Sequence, residues 1–205
     1  MTAITLPETR AIKVDKPRLM DWGGRLVPPL GGAVQTLNRL GTRWALDVSI
    51  PTMRTEPDGR TWAAALVQAK VNGVLMWFRQ DGLDIGIPST TSAYQAVDGA
   101  GQTGSTLNLK GFRPGYVMRL GQFFSVVTNA RRYLHMATAI TVADSAGKMA
   151  LPIFPMLRAS PNANDPVEVS KPMIQGSLTG SNEQAWTRLP GGFCDLGSIT
   201  ISEDE

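Results

Sequence analysis

The chain carries a single histidine, His135, and a single cysteine, Cys194, and most nucleophilic or metal chemistry would depend on these two side chains. A serine–histidine–aspartate triad needs the histidine as its base, and a nucleophilic thiolate needs a nearby histidine or a helix N-terminus. His135 lies in the strand-like segment HMATAIT, whereas Cys194 lies far along the chain in GGFCDLG. We therefore interpret His135 as a polar residue on a strand face and Cys194 as a buried structural thiol. The same composition predicts no zinc cluster and no intrachain disulfide.

The glycine-rich segment GAGQTGST at 99–106 is the nearest approach to a phosphate-binding loop. Gly99, Gly101 and Gly104 approximate the spacing of a dinucleotide-binding fingerprint. That motif works by aiming a helix N-terminus at a pyrophosphate, but the residues that follow here are strand-like. The segment therefore favours a hairpin or an interdomain turn over a cofactor site.

Two acidic pairs could in principle supply acid–base chemistry: Asp81 with Asp84 in DGLD, and Glu56 with Asp58. A glycosidase needs two carboxylates roughly 5–10 Å apart across a cleft. Both pairs lie in turn-like sequence, where acidic side chains commonly make local hydrogen bonds. We therefore predict no catalytic residue, no metal site and no cofactor, and hence a protein that is not an enzyme.

The five tryptophans divide into two groups by their local sequence. Three fall on apolar faces of a strand, a helix and a strand, where core packing explains them: Trp44, Trp62 and Trp77. The other two, Trp22 and Trp186, lie in Gly-rich segments. Together with Arg25, they are the candidate residues of a subunit interface.

The elements that must position these residues belong to a chain of 205 residues, which suits one large domain or one domain carrying a smaller inserted one. Hydrophobic residues make up 42% and charged residues only 18%, which argues against disorder and leaves few charges for a surface. One explanation is that other subunits cover part of that surface. The net charge of +3, without a long basic run, is too balanced to indicate nucleic-acid binding.

The N-terminal sequence MTAITLPETR has no basic region followed by an apolar core, so it does not read as a signal peptide. No stretch of the chain approaches the roughly 18 apolar residues of a membrane span. We therefore expect a protein that is made in the cytoplasm, is not inserted in a membrane, and stays soluble or assembles there.

The clearest regular structure is a strand, a helix and a strand. RWALDVSI at 43–50 alternates apolar and polar residues, which predicts a half-buried strand. The helix that follows has Asp58 as its predicted N-cap, an apolar face that includes Trp62, and Asn72-Gly73 as its C-terminal stop. The apolar run VLMWFR at 74–79 then predicts a buried strand.

The rest of the chain reads as short strands with turn punctuation. One or two strands are predicted in 1–14, a loop at 21–33, and a final strand in LGSITISE; residues 176–192 read as irregular. The strands predicted in the second half are 105–111, 116–127, 131–144 and 148–154, with a hairpin loop at Asp144–Gly147, a loop at 159–166 and a strand at 166–170. Strands at this spacing with little helix indicate a small antiparallel barrel or sandwich.

Together these elements predict a mainly β fold with one packed α-helix. The predicted division is a β domain with the helix at 1–95, a small inserted antiparallel β-barrel or sandwich at 96–164, and a C-terminal segment with a return strand and an ordered loop at 165–205.

Four segments in this order resemble a known family. A Gly/Pro loop leads into RLGTRWALDVSIP (39–51), the Trp62 helix follows, GAGQTGSTLNLKGF (99–112) precedes a β-hairpin region, and TVADSAGKMALPIFPMLR (141–158) closes it. This pattern, over roughly residues 20–175, resembles the distal tail protein of bacteriophages with long non-contractile tails. The segment after 175 departs from it.

The resemblance implies a tail-tube-like β-sandwich with one helix plus a smaller β domain. It also implies a virion protein, assembled in the host cytoplasm into a ring, expected to be a homohexamer. The ring would join the tail tube protein to the hub or baseplate protein and leave a channel through which DNA only passes. Exposed sheet edges would then become joints between subunits.

Three alternatives stay open. The chain could be a glycan- or receptor-binding module at a tail tip, with exposed aromatic residues such as Trp186 on the ligand. It could be another tail component, such as a tube or tail-terminator subunit. It could also be a small hydrolase, which would depend on Asp81 or Asp84.

Overall fold

The computed structural model describes residues 2–8, 14–89, 95–180 and 183–204. Over these ranges the protein is mainly β with one α-helix, as the sequence predicts. The chain divides into two compact units. The first contains Met1–Arg18, Trp44–Phe78 and Met173–Asp204, and the second contains Leu19–Arg43 and Arg79–Pro172.

These units differ from the three consecutive segments predicted with boundaries at 95 and 164. Met173–Thr179 pairs with Val74–Trp77 and with Ser198–Glu203, and Ser198–Glu203 also pairs with Arg43–Ser49. This pairing returns the C-terminal residues to the first unit's sheet. Residues 79–89 belong with the second unit. Contacts between distant parts of the chain decide which unit each of these two segments belongs to. The order of residues along the chain does not reveal those contacts.

The strands are numbered here in chain order. The first nine are β1 (Ile4–Thr5), β2 (Val14–Met20), β3 (Gly24–Leu26), β4 (Gln35–Leu37), β5 (Arg43–Ser49), β6 (Met53–Arg54), β7 (Val74–Trp77), β8 (Ala96–Val97) and β9 (Thr106–Lys110). The others are β10 (Val117–Met118), β11 (Phe123–Thr128), β12 (Arg131–Ala137), β13 (Thr141–Val142), β14 (Met149–Phe154), β15 (Val167–Glu168), β16 (Met173–Thr179), β17 (Thr187–Leu189), β18 (Phe193–Asp195) and β19 (Ser198–Glu203).

The main sheet of the first unit has six strands in the order β1-β7-β16-β19-β5-β2. Its central strands alternate, as the sequence of β5 predicts: Leu46 and Val48 are buried, and Ile201 of β19 is fully buried opposite Leu46. A smaller sheet has the order β17-β18-β6. Burial of one face of each central strand supplies the main stabilisation of this unit.

The helix α1 spans Arg60–Asn72 and buries Trp62, Leu66 and Ala69, which is the predicted apolar face. It ends at Gly73, whose φ of 82° suits glycine, and the Gly73 amide donates to Ala69 O at 2.9 Å. The prediction that Asp58 is the N-cap is wrong, because Asp58 lies inside a π-helical turn, Thr55–Gly59, that precedes α1. No helix in the described ranges is long and apolar enough to cross a membrane.

The main sheet of the second unit has the order β15-β11-β12-β14-β9-β8, and its two outer strands meet. Ala96 of β8 forms an antiparallel bridge with Pro166, the residue before β15. Beside the bridge, the Val97 amide donates to Asp165 O at 3.0 Å. The sheet therefore curls into a small antiparallel barrel, the type of domain that the strand spacing predicts, and its strands are not left with open edges.

The interior of this barrel is filled by side chains that alternate along its strands. Leu107 and Leu109 of β9 and Leu151 and Ile153 of β14 face inward, with Phe124 of β11 fully buried. The other members of the core are Val97, Phe112, Tyr116, Met118, Val126, Ala137, Ala143, Met149, Leu157, Val167 and Val169. These side chains fill the barrel interior as a packed core.

Side-chain amides tie residues 80–85 to the barrel. Gln80 accepts from the Phe123 amide at 2.6 Å and donates to Phe123 O at 3.1 Å. The Tyr116 hydroxyl donates to Ile85 O, and the Gln122 amide donates to the Tyr116 hydroxyl, each at 3.0 Å. Burial raises the pKa of Tyr116, so the phenol stays protonated as a donor.

Several predicted element boundaries are wrong. The segment 116–127 is two strands, β10 and β11, separated by a turn at Gly121 (φ 80°), and 131–144 is likewise β12 and β13. The loop predicted at 21–33 contains β3, and the segment predicted as irregular at 176–192 contains the end of β16 and all of β17. In each case pairing with a partner strand decides the conformation, and local composition does not reveal that partner.

Candidate functional site

His135 is buried in β12 and serves the barrel. Its Nδ1–H donates to Pro155 O at 2.9 Å, and its ring lies 5.9 Å from that of Phe124. Desolvation lowers the pKa of His135 to about 4, with a further lowering from Arg158, so the imidazole is neutral near pH 7. The side chain lies inside the fold and not on an accessible strand face, and its hydrogen bond accounts for its presence there.

Cys194 is a buried thiol, as predicted, with 3% of its surface exposed. It packs against Gly59, where a Cβ would overlap both Cys194 Sγ and Arg54 O. The π-helical turn before α1 therefore needs glycine at this position, because the β18 strand passes too close for any side chain.

The acidic pairs lie at the surface. Asp81 and Asp84 have side chains 72% and 83% exposed and make long ion pairs with Arg79 and Arg119 at 3.4 and 3.7 Å. Asp84 also accepts from the Gly86 amide at 3.0 Å, a local turn bond. Among the described residues, no group of three or more His, Cys, Asp or Glu side chains could hold a metal ion.

The glycine-rich segment at 99–106 is a turn, as predicted, and β9 follows it. Gly99, Gly101 and Gly104 all have positive φ. The Gln102 side chain fixes the turn, because its Oε1 accepts from the Asn108 amide at 2.7 Å and its Nε2 donates to Asp98 O at 3.0 Å. This arrangement has no helix N-terminus to bind a phosphate.

The tryptophans predicted for the core are confirmed for two positions. Trp62 is fully buried and Trp44 is 8% exposed, while Trp77 of β7 is half-buried. The candidate interface residues are all exposed: Trp22 by 51%, Trp186 by 39%, and Arg25 on β3.

Trp22 begins a hairpin, residues 22–40, that is called the arm below. Its base is fixed by polar contacts: Asp21 accepts from the Thr42 hydroxyl at 3.0 Å, and the Arg43 guanidinium lies 5.8 Å from the Trp22 ring centre. The ring also covers Gly41. Every residue from 25 to 40 is exposed, so within the ranges 2–8, 14–89, 95–180 and 183–204 no layer packs on either strand of the arm.

The register of the arm makes it amphipathic. Gly24 pairs with Leu37 and Leu26 pairs with Gln35, which places the two leucines on one face, whereas Arg25 and its partner Thr36 lie on the other. Leu26 is 54% and Leu37 is 42% exposed. The other large apolar side chains that the arm exposes are Val27 (68%), Leu30 (97%), Val34 (43%) and Leu40 (57%).

A two-stranded ribbon is at best marginally stable in water without a hydrophobic partner layer. A contiguous exposed apolar surface of this kind marks an interaction site on a soluble protein. The arm is therefore the candidate functional site, and it contains Trp22 and Arg25 of the predicted interface set.

Trp186 lies in the other unit, at the wall of an open pocket of about 390 Å³. The pocket's other lining residues are Thr55, Gly59, Arg60, Ala63, Arg188 and Cys194. Among these lining residues, the side chains of Arg60 and Arg188 are exposed. A flat apolar ring beside hydrogen-bond donors can bind a sugar or a planar side chain.

The two outer strands of the first unit's main sheet have features that disfavour pairing with another chain. The outer strand β2 carries Pro17 between Lys16 and Arg18, and Arg18 is tied to Asp47 at 2.9 Å. Proline and charges on an outer strand prevent pairing with another chain, and β1 at the opposite edge is only two residues long.

The sequence suggested Leu26 and Leu30 as packing residues of the loop predicted at 21–33, but these side chains are 54% and 97% exposed. Glycine and proline masked the alternation in 24–37, because a three-residue strand is too short to show a period of two. The signal that could have indicated the arm's apolar face was the presence of leucine in a Gly/Pro-rich segment. No protein-family model matches the chain, and no curated protein matches it.

Proposed function

We propose that this chain is a structural, non-enzymatic subunit of a bacteriophage tail that assembles with copies of itself. In this proposal the copies form a ring, expected to be a hexamer, at the distal end of the tail tube. The ring connects the tube protein to the hub or baseplate protein and leaves a channel for DNA. The tail location follows from the resemblance of residues 20–175 to distal tail proteins.

The observation that carries the assembly part of this proposal is the arm. It is a hairpin with seven large exposed apolar side chains from Trp22 to Leu40, and the residues that the structure describes place no layer on either face. Exposure of such a surface to water is unfavourable. When another chain covers it, the free energy falls by about 25 cal/mol per Å² of apolar area buried. A standard protein interface uses roughly 20–30 residues a side, so the arm is large enough to supply part of one.

The internal chemistry supports the same function. The single histidine and the single cysteine are both buried, and their contacts are with the fold itself. A channel for DNA must not grip phosphates, and a net charge of +3 over 205 residues supplies no dense cationic surface.

The direct test is the assembly state of the purified protein together with its gene neighbourhood. We expect rings by negative-stain imaging, alone or on tail tubes, and genes for a tape-measure protein upstream and a large hub protein downstream. A protein that stays monomeric and binds neither tube nor hub would contradict the proposal.

The Trp186 pocket favours a second candidate, a glycan- or receptor-binding role at the tail tip. Trp186 presents 39% of its surface beside Arg60 and Arg188. We would expect glycan-array binding that is lost in Trp186→Ala and retained in Trp22→Ala. Equal loss in both variants, or no binding by the wild type, would reject this role.

A further inference from the structure

The residues that line the Trp186 pocket come mainly from the small sheet of the first unit and from the start of α1. Arg188 of β17 pairs with Cys194 of β18, and Cys194 pairs with Met53 of β6. Because directly paired residues stand on the same face of a sheet, Arg188 lies on the face that carries the buried Cys194 thiol. Trp186 lines the same pocket two residues earlier, as the alternation of an extended chain predicts.

The helix supplies another wall of this pocket. Arg60 and Ala63 of α1 are three residues apart, a spacing that places both on one side of the helix. Gly59 and Cys194 also line the pocket, and both are buried. The volume of about 390 Å³ lies at the lower end of the roughly 300–1,000 Å³ that small-molecule sites occupy, so the pocket suits a small ligand.

The charged side chains that line the pocket, Arg60 and Arg188, are both cationic. Arg60 forms an ion pair with Glu56, one helical turn earlier. The exposed guanidinium of Arg188 has no ion pair or hydrogen bond with the residues that the structure describes. Asp195 of β18 pairs with Thr187 and therefore stands on the opposite face of the small sheet. Two cations and one anion leave one net positive charge at the pocket.

One positive charge beside an aromatic ring suits a monoanion that also has an apolar face. The Trp186 ring is flat and 39% exposed, so the C–H face of a sugar can pack on it. The planar guanidinium of Arg188 can donate two parallel hydrogen bonds to a carboxylate. A carboxylate carries a single charge near pH 7, whereas a phosphate monoester carries about 1.5–2. The charge of the pocket therefore fits a carboxylate better than a phosphate.

We propose that this pocket binds a sugar that carries a carboxylate, such as a hexuronic acid or a sialic acid at the end of a glycan. The sugar ring packs on Trp186, and its carboxylate accepts hydrogen bonds from Arg188. The inference rests on the glycan-binding role given above as the second candidate function. It adds the class of sugar and the residue that selects that class, and it does not depend on assembly into a ring.

The test compares methyl glucuronide with methyl glucoside, which has a hydroxymethyl group in place of the carboxylate, and adds a methyl sialoside. Binding near pH 7 is titrated by saturation-transfer NMR on the wild type, Trp186→Ala, Arg188→Gln and Arg54→Gln. The matched control is Arg54→Gln. Arg54 pairs with Phe193, the neighbour of Cys194 in β18, so this variant removes the same charge from the opposite face of the same small sheet.

We expect the wild type to bind at least one of the two acidic glycosides about tenfold more tightly than methyl glucoside, because hydrogen bonds to a charged group are strong. Which acidic glycoside binds distinguishes a hexuronic acid from a sialic acid. Arg188→Gln should lose the preference for the acidic sugar, Arg54→Gln should keep it, and Trp186→Ala should bind none of the three glycosides.

Two results would overturn the inference and leave glycan binding in place. One is a wild type that binds methyl glucoside as tightly as the acidic glycosides. The other is an equal loss of preference in Arg188→Gln and Arg54→Gln, which would show that the charge acts without a contact in the pocket. A wild type that binds none of the three glycosides would reject the glycan-binding role as well.

Discussion

The barrel and the arm use the same kinds of side chain in opposite ways. In the barrel, Leu107, Phe124 and Leu151 are fully buried because the sheet curls until its outer strands meet. In the arm, Leu26 and Leu37 are about half exposed because no element in the described part of the chain forms a second layer over them. The barrel core is complete within one copy, whereas we propose that another copy covers the arm.

The largest expected effect is the difference between a core and an arm truncation. Phe124→Ala removes a fully buried ring and should lower the free energy of unfolding by about 3–5 kcal/mol. Leu30→Ala, at a side chain 97% exposed, should change it by less than about 0.5 kcal/mol. Urea unfolding of dilute protein measures both. Similar losses in the two variants would show that the arm is packed within the single copy.

The buried histidine should make the barrel sensitive to acid. The pKa of His135 is 6.5 when unfolded and about 4 when folded, so the unfolded state binds more protons between these values. Neutral, buried His135 therefore contributes fully to the free energy of unfolding above pH 6.5. This contribution is lost as the pH falls towards 4, by up to about 3 kcal/mol. His135→Asn keeps an N–H donor but does not titrate.

Unfolding free energies across pH 4–7 should therefore rise more steeply in the wild type than in His135→Asn. Equal slopes for the two proteins would show that His135 titrates normally and is not sealed in the barrel.

A smaller effect separates two glycines of similar φ, Gly147 at 72° and Gly31 at 78°. Alanine at either position meets the same conformational strain, but a Cβ at Gly147 would also overlap Phe112 O, whereas Gly31 has open space around it. Gly147→Ala should therefore lower the free energy of unfolding by about 1–3 kcal/mol more than Gly31→Ala does. Thermal unfolding of the two variants gives the difference, and its absence would show that the barrel turn can move.

The sequence predicted the parts of the fold that repeat a strong local pattern. Alternation in β5 and the apolar stripe of α1 were sufficient, because burial of one face dictates both. The barrel was predicted by its strand spacing. Its closure through Ala96 and Pro166 was not, because that pairing joins distant residues.

The candidate site was predicted in part. Exposed aromatic residues in Gly-rich sequence pointed to Trp22 and Trp186, but the arm's face depends on the register of Leu26 with Gln35. The pairing of β10 with β13 was hidden in two segments that read as single long strands. Which face of a short ribbon is open follows from what packs beneath it, and a single sequence does not contain that information.

The most direct test of the account is the molar mass in solution of Leu37→Asp and Thr36→Asp, measured by light scattering during size-exclusion chromatography. These neighbours take the same charge on opposite faces of β4. We expect wild type and Thr36→Asp to have the same mass, several times the 22.1 kDa of one subunit, and Leu37→Asp to fall to the mass of a single subunit. A Leu37→Asp protein that keeps the wild-type mass would contradict the claim that the arm joins the copies.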